Sequence, residues 1–273
     1  MKGLLLTLAI ACLPGVRCQK AEDQTDVPDL SAPIDDMDSE DNGLETDDDF
    51  QPTIIITGSG ALKGKKFERN GKDHYEFLGI PFAEPPVGKL RFQPPVPVSP
   101  WSDVREAFAD GPVCIQEIGP SLGANYANLK ASEDCLTLNI FTNSIGTQRK
   151  APKAVMLWIH GGGYTTGSKD QYRMQRLVDE DIVYVAINYR LSALGFLSFG
   201  NDLVSGNMGL RDQHLAIQWV RANIHLFGGD PDKITIFGES AGGGAVHSQV
   251  LSPANRGLLA GAIAQSGNSL LMR

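Results

Sequence analysis

Two glycine-rich clusters hold the residue types that acyl chemistry needs. The first is Phe237-Gly238-Glu239-Ser240-Ala241-Gly242-Gly243, where a serine stands two positions from a glycine on either side. Alone the pattern is weak, because glycine makes up about 7% of ordinary sequence and chance supplies such spacings. Context strengthens it: the apolar run 234–237 leads straight in, and residues 241–251 continue as a small-residue helix pattern. So sharp a strand-to-helix turn strains the serine backbone, tolerates only small neighbours and lifts the hydroxyl clear of a sheet. The helix behind it aims N–H groups and a positive dipole end at the same spot. Glu239, beside the serine, either tunes a pocket electrostatically or simply suits the turn.

The second cluster is His160-Gly161-Gly162-Gly163-Tyr164, directly after the apolar run VMLWI. A serine attacking a carbonyl creates a tetrahedral oxyanion, and residues without side chains let backbone N–H groups approach that charge closely. A flexible turn or a phosphate loop is the rival reading, but the Gly-Lys-Ser/Thr of a phosphate loop is absent. A base is harder to find. Residues 241–273 contain no Asp or Glu and one histidine, His247. On a helix it would stand two turns from Ser240, about 10 Å along the axis, and it reads as helix surface. His74, His160, His214 and His225 precede the serine. His160, beside the glycines, reads as structural. Without a base a serine hydroxyl is a poor nucleophile at neutral pH.

The elements that must hold these clusters follow from hydrophobic patterning. Buried-strand runs recur at 136–141, 155–159, 182–188, 234–237 and 259–264, with a shorter one at 54–56. Residues 210–227 show helical spacing at Ile217, Val220 and Ile224, closed by Gly228-Gly229. Residues 77–97 are rich in proline and should run extended. Strands alternating with helices predict an α/β fold, a mostly parallel sheet with helices on both faces.

Bulk properties narrow the setting. Lys2, the ten-residue apolar run 4–13 and Pro14-Gly15 read as a secretory signal over residues 1–18, too short to span a bilayer. No later run is long and apolar enough for a membrane span. Residues 20–50 carry 13 of the 32 Asp and Glu against one Lys, which reads as an acidic, disordered leader over 19–52. The ordered part, 53–273, is then close to neutral. No basic cluster points to nucleic acid, and no His/Cys cluster has metal-ligand spacing. With Cys12 and Cys18 in the signal, Cys114 and Cys135 remain, most simply as one disulfide in an exported protein, otherwise as two thiols.

Together the stretches HGGGY, NYRLSALGFL, GNMGLRDQHLAIQWVRANIHLFGGDP and FGESAGG resemble the type B carboxylesterase family, which includes cholinesterases. GIPFAEPPVGKLRF and SEDCLTLNIF are similar to its upstream signatures. The resemblance implies an α/β-hydrolase fold and hydrolysis of a small-molecule carboxylic ester with no cofactor. It implies Ser240 as nucleophile, the amides of Gly162, Gly163 and Ala241 as oxyanion hole, and a disulfide between Cys114 and Cys135. Cholinesterases carry a tryptophan about ten residues before the SEDC cysteine for cation–π stacking, whereas this chain has Asn125 with Tyr126 beside it. A general carboxylesterase is therefore favoured, with Tyr126 and Glu239 as pocket candidates. In this fold the acid and then the histidine follow the serine, so the resemblance implies a chain truncated after the strand that follows Ser240, its apolar edge uncovered. Ser266 resembles a family residue that supports the acid. A non-catalytic binding or adhesion-type relative is the alternative.

Overall fold

The structure, a computed structural model, describes residues 50–117, 130–146 and 151–270. The signal segment, nearly all of the acidic leader, Asn125 and Tyr126 lie outside the described residues.

Three strands open the fold as an antiparallel meander. They are β1 (Gln51–Ile56), β2 (Ala61–Arg69) and β3 (Lys72–Pro81). Asn70 and Gly71 turn β2 into β3 with φ of 53° and 71°, the pair of positive values that a two-residue hairpin with the strands' own twist requires. After Pro81 the proline-rich segment stays irregular, but Gly88–Leu90 form one 3₁₀ turn rather than extended chain. Short β4 (Arg105–Glu106) lies beside β2, and β5 (Val113–Cys114) pairs with β6 (Ala131–Ser132) in a small separate sheet. Next to that sheet Cys114 and Cys135 are joined as a disulfide with Cα atoms 5.0 Å apart.

The strands anticipated from apolar runs then follow: β7 (Thr137–Thr142), β8 (Lys153–Ile159), β9 (Val183–Ile187), β10 (Gly229–Glu239) and β11 (Gly261–Gln265). Helices α1 (Gln175–Asp179), α2 (Ser192–Phe196), α3 (Met208–Asn223) and α4 (Ala241–Leu251) lie between them. The helical pattern at 210–227 is realised as α3 and a 3₁₀ turn, Ile224–Phe227, ended by Gly228 at φ 78°. In space the main path runs β1-β2-β3-β7-β9-β8-β10-β11. It is mixed: β9, β8, β10 and β11 are mutually parallel, while β7 joins them antiparallel and continues into the meander.

Both faces of β9 and of most of β8 are covered, which is why these two strands read as apolar runs rather than alternating patterns. On one face Val155, Leu157, Val185, Ile234 and Ile236 pack with Ala216, Ile217 and Val220 of α3 and Ala245 and Val246 of α4. On the other, Trp158, Tyr184, Phe237 and Phe141 pack with Val178 and Leu177 of α1. At the rim β11 forms an edge of the sheet, with Ile263 45% exposed. The layout decides where chemistry can happen. Ile159 and Gly238 are partners in register on parallel neighbours, so the loops after β8 and β10 leave the same edge of the sheet side by side.

Candidate active site

Ser240 is the single residue between β10 and α4, at φ 57° and ψ −122°. A serine reaches that backbone region at a cost of order 1–3 kcal/mol, so its surroundings must over-determine it. They do so through glycines. A Cβ on Gly238 would stand 2.5 Å from the Ile159 carbonyl oxygen, and one on Gly242 would overlap that oxygen and approach the His160 oxygen to 2.9 Å. Both glycines thus let the turn sink onto the end of β8. The Ser240 N–H donates to the Gln265 carbonyl at 2.9 Å, and the Ser240 carbonyl accepts the Gly244 N–H at 3.0 Å. The side chain is left half-buried, next to the exposed Glu239.

The glycine loop after β8 touches this turn. A Cβ on Gly161 would lie 3.4 Å from the Ser240 Cβ and 3.4 Å from the Glu239 carboxylate. Gly162 and Gly163, at φ 96° and 61°, are exposed. The Gly162 carbonyl is turned inward, accepting the N–H groups of Thr165 and Thr166 at 3.0 Å each. Among the described residues nothing accepts the N–H of Gly162 or Gly163. Ala241 opens α4, where first-turn amides have no partner within the helix. The two sequence clusters therefore converge, with unpaired amides beside a strained serine.

His160 is buried beneath the loop and is not offered to a ligand. Its Nδ1–H donates to the Gly161 carbonyl at 2.9 Å, and its ring stacks on Tyr189 with centroids 4.4 Å apart. Burial pushes its pKa down to about 4, so it is neutral at pH 7. Sequence reasoning missed Tyr189, whose hydroxyl donates to the His160 carbonyl at 2.8 Å. It also missed Gln116, whose amide exchanges two hydrogen bonds with the backbone of Gly167, at 2.8 and 2.9 Å. Only a tyrosine directly after the β9 run hinted at the first, and nothing local hinted at the second. Behind Tyr189, the buried Arg190 guanidinium grips Asp212 of α3 through two hydrogen bonds of 2.8 and 2.6 Å. The loops after β8, β9 and β10 are thus fixed to one another.

His247 departs from its reading as helix surface. It is half-buried, and its Nδ1 accepts the Ser269 N–H at 3.2 Å, with the Ser269 hydroxyl at 3.0 Å. The turn beyond β11 folds back over the helix, which a periodicity argument cannot see. An open cleft of about 380 Å³ adjoins the glycine loop, with Tyr164, Phe196 and Leu210 as its apolar side and Thr165, Ser192, Ser248 and Ser269 supplying hydroxyls. Among the described residues no cluster of His, Cys, Asp and Glu forms a metal site.

A mixed sheet whose parallel strands deliver a strained serine onto a helix defines an α/β-hydrolase. The chain belongs to the Carboxylesterase family, whose model matches residues 51–272. It is 48% identical over 237 residues to a pyrethroid hydrolase from Rattus norvegicus, covering 82% of this chain and 41% of that protein. It is 42% identical over 224 residues to a juvenile hormone esterase from Tribolium castaneum, covering 80% and 37%. The crystal structure of juvenile hormone esterase from Manduca sexta, with OTFP covalently attached, superposes with a TM-score of 0.75 at 38% identity, over 80% of this chain and 42% of that one. The chain spans 36–43% of the length of the curated relatives it matches.

Proposed function

We propose that residues 53–273 are the N-terminal part of a secreted serine carboxylesterase that works through an acyl-enzyme on Ser240. One observation carries the reading: the strained serine turn and the exposed amides of Gly162 and Gly163 leave one sheet edge side by side. In this scheme the Ser240 Oγ attacks the carbonyl carbon of a small carboxylic ester. Its proton passes to a histidine, and the oxyanion accepts the N–H groups of Gly162, Gly163 and Ala241. Collapse of the intermediate expels the alcohol, which takes the proton back, and water then releases the acid by the same route. The cleft beside Tyr164 and Phe196 suits an apolar arm of the ester. A disulfide between Cys114 and Cys135 fits export, as does the apolar segment 4–13. No described helix is long and apolar enough to cross a membrane.

The acid and histidine of the scheme are not supplied by residues 241–273, where His247 is engaged with Ser269. The 273 residues by themselves are therefore expected not to turn over. A fluorophosphonate probe on the purified 273-residue chain should leave Ser240 unmodified. A product of the same gene that carries a downstream Asp or Glu and then a His should be labelled to stoichiometry. Labelling of the 273-residue chain would overturn the need for an external base, and failure of both would favour a binding protein built on this fold.

A further inference from the structure

Two glycines in the turn region need their missing side chains for a reason that conformation does not explain. Gly243 is in the first turn of α4, Gly267 follows β11, and neither has positive φ. Other residues could adopt both backbones, so only closeness demands glycine. A Cβ on Gly267 would overlap the Ser240 carbonyl oxygen and stand 3.1 Å from the Gly244 nitrogen, on the hydrogen bond that starts α4. From the helix side, a Cβ on Gly243 would stand 2.6 Å from the Gln265 carbonyl oxygen and 3.1 Å from that of Gly267. That Gln265 carbonyl also accepts the Ser240 N–H. Ser266, between the two contacts, is itself held at φ 52°.

We propose that the turn Gln265-Ser266-Gly267 is the seat of the nucleophile, with Gly267 as a positioning residue. The seat holds both peptide groups of Ser240: Gln265 takes the N–H from one side, and the bare Cα of Gly267 fits under the carbonyl on the other. β11 thereby sets the serine's φ and ψ from outside the strand–turn–helix unit. The strained conformation needs such outside support, because the local chain does not favour it. A side chain at position 267 would push the Ser240 carbonyl away and swing the hydroxyl relative to the oxyanion amides. The geometry stands on its own, while its purpose rests on the reading of Ser240 as nucleophile.

Residue-resolved hydrogen exchange on the 273-residue chain tests the seat without requiring activity. An amide at a helix start is ordinarily unprotected. In the wild-type chain the Ser240 amide should nonetheless exchange within about tenfold of the Ile236 amide in β10. In Gly267→Ala the Ser240 and Gly244 amides should exchange at least about tenfold faster, with Leu157 and Val185 unchanged. Gly261→Ala, at the start of β11 and facing Thr235, should leave Ser240 as it was. A wild-type Ser240 amide that exchanges like an open loop overturns the proposal, even if the variant does not fold. So does an equal response to both variants, or none to Gly267→Ala. In a product carrying the downstream acid and histidine, Gly267→Ala should lower kcat by about tenfold or more with KM little changed, since small misplacements of a reacting group slow chemistry without weakening binding. A protected Ser240 that stays unreactive in every product would sink the nucleophile and leave the seat standing.

Discussion

His160 is the residue on which the glycine loop rests, and its charge state gives the site a pH dependence of stability. Burial lowers its folded pKa to about 4, against 6.5 when exposed. Between those values the unfolded chain binds a proton that the folded chain refuses, so stability is full above pH 6.5 and declines as pH falls toward 4. That difference corresponds to about 3 kcal/mol. Chemical denaturation at steps from pH 7 to 4 should show this slope, and His160→Phe should flatten it by the histidine's share while keeping a ring against Tyr189. A slope unchanged in the variant would mean that other groups carry it. The same residue marks how far the site could be read from composition and spacing. Ser240 and the glycines announce themselves because small residues cluster only where backbone must approach backbone. Tyr189 and Gln116 do not, because their partners lie 29 and 51 residues away and no local pattern encodes such meetings.

At the level of elements, glycine means different things in the meander and in the serine turn. Gly71 has open space where a Cβ would go, and only its φ of 71° opposes a side chain. Gly71→Ala should cost about 1 kcal/mol, the strain of a left-handed alanine. Gly242 is helical, but its Cβ would overlap the Ile159 carbonyl oxygen at the end of β8. Gly242→Ala should cost about 3 kcal/mol, the upper range for overpacking, because backbone cannot step aside as a side chain can. Urea midpoints of the two variants at pH 7 make the comparison, and equal losses would contradict it. Strands β8 and β9 were legible because burial on both faces strips them of most polar residues. The hairpin of β2 and β3 was not, because β2 carries Lys63, Lys65, Lys66, Glu68 and Arg69 and lacks a continuous apolar signal. Only Asn70-Gly71 betrays it, and the antiparallel half of the sheet was overlooked with it.

For the molecule as a whole, the disulfide ties the segment after the meander to the start of β7 across 21 residues. Cys135→Ser should lower stability by about 3 kcal/mol on the chain-entropy estimate, read as a reduced urea midpoint that matches the reduced wild-type chain. A midpoint equal to that of the oxidised wild type would show that the link contributes nothing. The strand order has a further consequence, for synthesis rather than for the finished fold. β8 stands at the centre of the parallel block, yet both its neighbours, β9 and β10, come later in the chain. A ribosome that delivers residues at 5–20 per second takes roughly 4 to 15 s to pass from Ile159 to Thr235. For that interval Val155, Leu157 and Trp158 have no complete bed to lie in, and nothing on the nascent chain can cover both edges of the strand. Organisation of the sheet must wait for β10, the strand that also brings Ser240, and α4, whose Ala245 and Val246 complete the cover over Val155 and Leu157, follows directly behind it.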